Sequence, residues 1–233
     1  MQPIKLQNLG LIDYKKAWDY QETLFEKVLT QRVEPHREHF GYLLLCEHPH
    51  VYTIGKSGND TNLLINEQML QRIDATCYHI NRGGDITYHG PGQVVAYPII
   101  DLEALGIKLK DYIQMFEEVV IRVLEKHGVF AGRLDGSTGV WLDVGKAGLE
   151  RKICAIGVRA SRFVTMHGLA FNVNTNLDYF NHINPCGFVD KGVTSMQKEL
   201  GKEIDFEKVQ EQVKLEFEQV FGLKVIADKE VRT

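Results

Sequence analysis

The sequence has no apolar run long enough to cross a membrane as a helix, which takes about 20 residues. Its first residues, Met1 to Leu6, also lack the charged and then apolar pattern of a secretory signal peptide. We therefore expect a soluble protein that works in the cytoplasm.

The chain also has little net charge. It carries 27 Lys and Arg against 31 Asp and Glu, so the formal net charge is −4 at pH 7. Proteins that bind nucleic acid or an anionic membrane through phosphate groups generally carry an excess of Lys and Arg. We expect neither of these partners.

Cysteines are few, and Cys46, Cys77, Cys154 and Cys186 lie far apart without a C-x-x-C pair. A cytoplasmic protein keeps isolated cysteines reduced, so we expect no disulfide. Two histidines occur in His48-Pro49-His50, but no other metal ligand follows at a zinc-site spacing. We interpret them as part of a turn and expect no metal.

Hydrophobic periodicity predicts strands and helices in irregular order. The strands are expected at 4–12, 40–46, 51–55, 76–80, 94–100, 140–144, 152–159 and 163–173, and helices from 13, at 66–73, from 109 and at 205–221. Successive strands joined by short turns after residue 140 indicate an antiparallel or mixed sheet. The predicted fold is α+β (α/β in the broader sense), a mixed β-sheet packed with helices in one domain over residues 1–233.

The stretch Arg82–Gln93 is the most unusual part of the sequence. It holds four glycines and one proline in twelve residues and lies between two apolar segments that read as buried strands. Glycine permits positive φ and close approach of the backbone to a ligand, and binding residues favour loops held by a rigid scaffold. We predict a glycine-rich binding loop here, and a tight hairpin turn is the alternative.

Cys186 is the best candidate for a nucleophile, because Asn184-Pro185-Cys186-Gly187 lies in a polar region. The other three cysteines stand in apolar runs and read as small buried hydrophobes. A thiol with a pKa near 8.5 needs a nearby cation to react at neutral pH, and Lys152 is a candidate. Cys154 is expected on the same face of the strand as Lys152, but its apolar neighbours make it a poorer nucleophile than Cys186.

His89 and His167 each precede a glycine at the edge of a predicted strand. Either could serve as the general base of a Cys–His pair. A structural histidine that hydrogen-bonds a turn is an equally good reading of both.

Four motifs, in order along the chain, resemble the lipoyl(octanoyl) transferase family. They are Arg82–Gln93 (RGGDITYHGPGQ), Lys152–Arg159 (KICAIGVR), His167–Val173 (HGLAFNV) and Ile183–Gly187 (INPCG), followed by Gly192–Ser195. The resemblance covers about residues 40–195, and the first 35 and last 35 residues carry no such signature. It implies the fold of the biotin- and lipoate-protein ligases and a single octanoyltransferase catalytic domain.

The resemblance also implies a reaction and its partners. An octanoyl group passes from octanoyl-acyl carrier protein to a thioester on Cys186, whose pKa Lys152 lowers. It then passes to a lysine of a lipoyl domain, in a 2-oxoacid dehydrogenase or the glycine cleavage H protein. No ATP, metal or other cofactor is expected, and the enzyme is expected to be a monomer. The acyl chain would lie against Arg82, Gly83, Gly84, Asp85, Ile86, Thr87, Tyr88, His89, Ala155, Ile156, Gly157, Gly168, Leu169 and Ala170.

Three other functions stay open. A lipoate- or biotin-protein ligase would share the fold but activate the free acid with ATP, although the chain has no phosphate-binding P-loop. A hydrolase would use Cys186 with His89 or His167 and release free octanoate. A relative without catalytic activity would only bind lipoyl domains or acyl carriers.

Overall fold

A computed structural model describes residues 2–32, 37–184 and 191–228 of the chain. The strands are β1 (Gln2–Leu11), β2 (Gly41–Glu47), β3 (Val51–Ile54), β4 (Thr76–His79), β5 (Ile86–His89), β6 (Gln93–Ile100), β7 (Gly132–Leu134), β8 (Ser137–Leu142), β9 (Arg151–Ser161), β10 (Val164–Asn172), β11 (Gly192–Val193) and β12 (Leu223–Ala227). The helices are α1 (Tyr14–Gln31), α2 (Glu67–Arg72), α3 (Leu109–Glu125), α4 (Met196–Leu200) and α5 (Phe206–Phe221), with 3₁₀ turns at Asp60–Asn62 and Leu177–His182. No helix in these ranges is both long and apolar enough to span a membrane.

The strands form a large mixed sheet and a small one. The large sheet has the order β12-β1-β2-β6-β10-β9-β8-β7, with β11 pairing in parallel with β9. β12, β1 and β2 run parallel to one another, whereas β2, β6, β10, β9, β8 and β7 alternate in direction. The small sheet has the order β4-β3-β5. The prediction of a mixed sheet packed with helices is confirmed.

Side chains alternate across β6 and cover both faces of the large sheet. Val94 and Ala96 pack in one cluster with Phe116 of α3 and Phe217 of α5. Val95 and Tyr97 pack in another cluster, which includes α1 residues. Since successive residues of a strand point to opposite faces, α3 and α5 cover one face and α1 covers part of the other.

Local signals explain where the long helices begin and end. The side chain of Asp13 accepts a hydrogen bond from the backbone N–H of Lys16 at 3.0 Å and caps α1, at the residue where the sequence predicts the start of this helix. Asp205 caps α5 in the same way through Lys208. Gly222 follows α5 with φ of 62°, a left-handed conformation that favours glycine.

The stretch Arg82–Gln93 is only partly a loop, so the prediction of a continuous loop between buried strands is wrong. Ile86–His89 forms strand β5, paired antiparallel with β3. Its β-branched and aromatic residues favour a strand, which the glycines on either side obscure in the sequence. The strand before the stretch, β4, is not buried either: Thr76 and His79 are exposed, because β4 is an edge of the small sheet.

Candidate functional site

A cavity of about 820 Å³ is lined by residues of both sheets and of the turn Leu177–His182. Lys152 lines it, and so do most of the residues predicted to contact an acyl chain: Arg82, Gly84, Asp85, Ile86, Thr87, His89, Ala155, Ile156, Gly157, Gly168, Leu169 and Ala170. The fold thus brings the segment 82–89 together with the consecutive strands β9 and β10, which lie far along the chain, at one cavity. A binding role for these residues stays a prediction.

Gly83 and Tyr88 are not among the residues that line the cavity. The backbone N–H of Gly83 donates to the carbonyl oxygen of Val158 at 2.9 Å and ties the loop to β9. Tyr88 is fully buried, and its ring stacks on that of Tyr179 with centroids 4.9 Å apart. Strand alternation points it away from the side that Thr87 and His89 share.

Small residues form one wall of the cavity. In the register of β9 and β10, Ala155 lies opposite Ala170 and Gly157 lies opposite Gly168. A Cβ at Gly157 would stand 3.0 Å from the carbonyl oxygen of Gly83. The loop that carries Arg82 therefore rests directly on β9, and a larger residue at position 157 would require the loop to shift.

Arg82 is buried beside the cavity and holds its loop in place. Its Nη2 donates to the carbonyl oxygen of Thr53 at 2.6 Å and to Thr53 Oγ1 at 3.0 Å. Asp85 supports the same loop, because its carboxylate accepts hydrogen bonds from Asn62 Nδ2 at 2.8 Å and from the N–H of Ile86 at 2.6 Å. These contacts join the loop to the small sheet.

The two histidines considered as general bases are buried and neutral. Burial lowers the pKa of His89 well below its usual value, and the neighbouring His48 lowers it further. Burial, aided by Arg82 and Arg159, lowers the pKa of His167 to about 3. A general base works best with a pKa near the operating pH. The structure thus favours hydrogen-bonding roles for both, and it disfavours the Cys–His hydrolase.

Hydrogen bonds define these roles. His89 Nδ1 lies 2.9 Å from Gln93 Oε1, and His167 Nε2 lies 2.7 Å from Asn81 Oδ1. His167 has φ of 60°, a conformation that residues other than glycine adopt rarely and that concentrates at functional sites. Both rings therefore have fixed positions at the cavity.

The buried histidines predict a pH-dependent stability. Burial lowers the pKa of His48 to about 4, against about 6.5 in an unfolded chain. The unfolded state therefore binds more protons than the folded state below about pH 6.5, and the free energy of unfolding falls as the pH drops. The fall between pH 7 and pH 5 should be about 2 kcal/mol for each of His48 and His167, and the lowered pKa of His89 acts in the same direction.

Urea denaturation at the two pH values measures this effect. His48→Gln is the matched variant, because an amide can still face the Ile12 carbonyl and the Tyr97 hydroxyl that His48 contacts at 2.7 Å and 2.8 Å. The variant should lose less stability on acidification than the wild type. Equal denaturation midpoints for the wild type at pH 5 and pH 7 would contradict the prediction.

Lys152 lies against an aromatic ring at the cavity. Its Nζ is 4.7 Å from the ring centroid of Trp141, its partner across β8 and β9. The backbone N–H of Thr194 donates to the carbonyl oxygen of Lys152 at 2.9 Å, where β11 joins β9. The strand that carries Lys152 is thus fixed on two sides.

Cys186 lies outside the described residues. The residues next to that gap, Asn184 and Lys191, both line the cavity. The backbone N–H of Asn184 donates to the carbonyl oxygen of Asn62 at 2.8 Å, and Lys191 leads into β11. The described chain on both sides of residues 185–190 is therefore attached to the cavity that contains Lys152.

The three described cysteines are poor nucleophiles. Cys46 and Cys154 are buried, as predicted, and burial raises the pKa of each thiol. Cys77 is only half buried, contrary to prediction, because it lies on edge strand β4; desolvation still raises its pKa. A thiol with a raised pKa is protonated at neutral pH and reacts slowly. Cys154 is thereby disfavoured as a rival to Cys186.

Four buried polar residues that were not predicted to bind also line the cavity: Tyr14, Gln93, Tyr97 and Asn172. Gln93 and Asn172 lie in two of the motifs quoted above. Tyr14 stands in a helical pattern and Tyr97 in an apolar one, which indicate only core packing, and nothing in the sequence shows that the four residues meet. Within the described ranges, no group of three or more His, Cys, Asp or Glu side chains is arranged to hold a metal ion.

Solved structures of lipoate- and biotin-protein ligases have the same fold. A bipartite lipoate protein ligase from Thermoplasma acidophilum superposes with a TM-score of 0.71 at 13% identity, over 98% of this chain and 87% of that one. A biotin protein ligase from Aquifex aeolicus gives a TM-score of 0.54 at 14% identity, over 94% and 70%. At these identities the similarity establishes the fold, and it confirms the predicted one.

The chain belongs to the lipoyl protein ligase A/B catalytic domain family, whose profile matches residues 13–218. An octanoyltransferase of Bacteroides fragilis is 55% identical over 203 residues, which cover 87% of this chain and 91% of that protein. One from Christiangramia forsetii is 52% identical over 224 residues, which cover 94% and 95%. These relatives support a transferase that acts in octanoyl or lipoyl transfer.

Proposed function

We propose that this enzyme transfers an octanoyl group from octanoyl-acyl carrier protein, through a thioester on Cys186, to a lysine of a lipoyl domain. The observation that carries the proposal is the position of Lys152 at a cavity bordered by small residues, with the chain on both sides of residues 185–190 attached to it. The acceptors would be lipoyl domains of 2-oxoacid dehydrogenases and the glycine cleavage H protein. The related archaeal ligase was solved together with its E2 lipoyl domain.

In the first half-reaction, the ammonium group of Lys152 lowers the pKa of the Cys186 thiol and holds the resulting thiolate. The thiolate attacks the thioester carbonyl of the donor, and the bond to the carrier sulfur breaks as the bond to Cys186 forms. The carrier thiolate leaves with the proton that Lys152 held. One thioester replaces another, so the step is nearly neutral in free energy and needs no ATP.

In the second half-reaction, the amine of the acceptor lysine attacks the carbonyl of octanoyl-Cys186. Lys152 takes the proton that the amine loses, and Cys186 leaves as a thiolate. An amide replaces a thioester, which is favourable. A single lysine can serve both steps because it gives its proton to the carrier thiolate in the first and takes a proton from the acceptor amine in the second.

The acyl chain would occupy the part of the cavity next to the small-residue wall. Ala155 and Ala170 leave room for a linear chain at the sheet. The side chains of Ile156 and Leu169 point to the other face and pack in the core with α3 and α5, which supports the wall from behind. Binding pockets for molecules of this size are mostly apolar, with a few polar groups that fix orientation. Arg82 and Asp85 order the loop on the opposite side.

An ATP-free transfer assay tests the proposal. The purified chain, octanoyl-acyl carrier protein and a lipoyl domain should give an octanoylated domain, and Cys186→Ser should lower the rate by at least about 10³-fold, since the thiolate is lost. Cys77→Ser is the matched control and should keep the wild-type rate. Transfer that requires ATP and octanoate would instead establish the ligase.

A further inference from the structure

We propose that Trp141 is a positioning residue that holds the ammonium group of Lys152 in place for the acyl transfer. The inference rests on the proposed function, because it concerns the proton carrier of that reaction. Trp141 thereby has a role in the reaction, whereas the sequence pattern Val140-Trp141-Leu142 identifies it only as part of a strand.

The indole ring has a fixed orientation. Trp141 is buried, and its Nε1–H donates to the backbone carbonyl oxygen of Ser137 at 2.9 Å. The register of β8 and β9 shifts between Val140 and Trp141, which places Trp141 directly opposite Lys152. The ring is thus held by a hydrogen bond within its own strand, and the neighbouring strand presents the lysine to it.

The aliphatic part of the Lys152 side chain passes over Gly139 towards the ring of Trp141. A Cβ at Gly139 would stand 3.4 Å from Lys152 Cε and 3.5 Å from its Cδ. Gly139 has φ of 124°, which side-chain-bearing residues rarely adopt. The backbone therefore leaves a channel for the aliphatic part of Lys152, with the ammonium 4.7 Å from the ring centroid.

A second lysine approaches the same ring. Lys191 Nζ lies 5.7 Å from the centroid of Trp141, and this residue begins the described chain after the gap that contains Cys186. Two ammonium groups near one another repel, and the electron-rich face of an indole attracts both. Without the ring, Lys152 would lose this attraction.

The test compares Trp141→Leu with Trp141→Phe. Leucine removes the ring, whereas phenylalanine keeps a weaker one. In single-turnover acylation, Trp141→Leu should lower the maximal rate about 10-fold to 30-fold, with little change in the donor concentration that gives half-maximal rate. The rate of Trp141→Phe should stay within about 3-fold of the wild-type rate. Trp18→Leu removes the chain's other tryptophan as a control and should keep the rate.

A second readout does not depend on the reaction. Lysines carrying ¹³C-methyl groups from reductive methylation report their surroundings by NMR, and a Lys152 signal held over an indole should be shifted upfield by the ring current. Lys152→Arg identifies this signal, which Trp141→Leu should return to the position of exposed lysines. The upfield signal together with the rescue by phenylalanine would support the proposal.

Three results would overturn it: no upfield signal in the wild type, wild-type rates for Trp141→Leu, or equally slow leucine and phenylalanine variants. A wild type that transfers nothing without ATP would refute the proposed function instead. The NMR signal would then still decide whether Trp141 positions Lys152.

Discussion

Lys152→Ala is expected to slow both half-reactions by about 10² to 10⁴-fold each, the usual contribution of a positioned acid–base group. The lysine lies at the cavity, and its strand is fixed by β8 and by the contact with Thr194. In the proposed mechanism it holds the Cys186 thiolate in the first step and takes a proton from the acceptor lysine in the second. Removal of one side chain should therefore affect both.

Single-turnover kinetics measures the two steps separately. Formation of the octanoyl-enzyme is followed with the carrier alone, and transfer is followed by adding the lipoyl domain to preformed octanoyl-enzyme. Lys146→Ala is the matched control, since Lys146 is an exposed lysine paired with Asp143. If Lys152→Ala slows only one of the two steps, the dual role is refuted.

Gly168→Leu is expected to prevent folding rather than to shorten the accepted acyl chain. A Cβ at Gly168 would stand 2.0 Å from the backbone carbonyl oxygen of Ala96 in the neighbouring strand β6. Backbone in the centre of the sheet cannot move away at low cost, so the loss of stability should exceed about 4 kcal/mol. Protein yield and the midpoint of thermal unfolding measure this.

Ala155→Leu is the matched substitution that tests the acyl site. Ala155 also lines the cavity on the small-residue wall, and it is half buried, so a larger side chain can extend into the space. This variant should fold and prefer hexanoyl over octanoyl donors, which competition assays with both carriers would show. Near-normal stability of Gly168→Leu, or an unchanged donor preference in Ala155→Leu, would contradict this account.

The elements with strong local signals are those that the sequence predicts well. The apolar stripe of α3 and the caps Asp13 and Asp205 depend on neighbours within a few residues. β12 was not predicted, because five residues at Leu223–Ala227 become a strand only through pairing with β1 at the other end of the chain. β5 was missed for a related reason, since its partner β3 lies beyond a long connection.

The candidate site shows the same limit. The motifs of the family resemblance identify the segments that meet at the cavity. The hydrophobic periodicity of the sequence alone does not predict that Arg82 packs against Gly157. The sequence also does not reveal the role of Gly168. A glycine in a predicted acyl site suggests that space is left for a ligand, but in the structure strand β6 fills that space. Tyr97 of β6 and His48, which follows β2, meet through a 2.8 Å hydrogen bond.

Intact-protein mass spectrometry after mixing the chain with octanoyl-acyl carrier protein, without ATP, tests the central claim most directly. The proposed mechanism predicts one octanoyl adduct that peptide mapping places on Cys186 and that a lipoyl domain removes. Transfer to the lipoyl domain with no adduct at any time, even when the wild-type enzyme is quenched during turnover, would mean direct transfer and contradict the acyl-enzyme route.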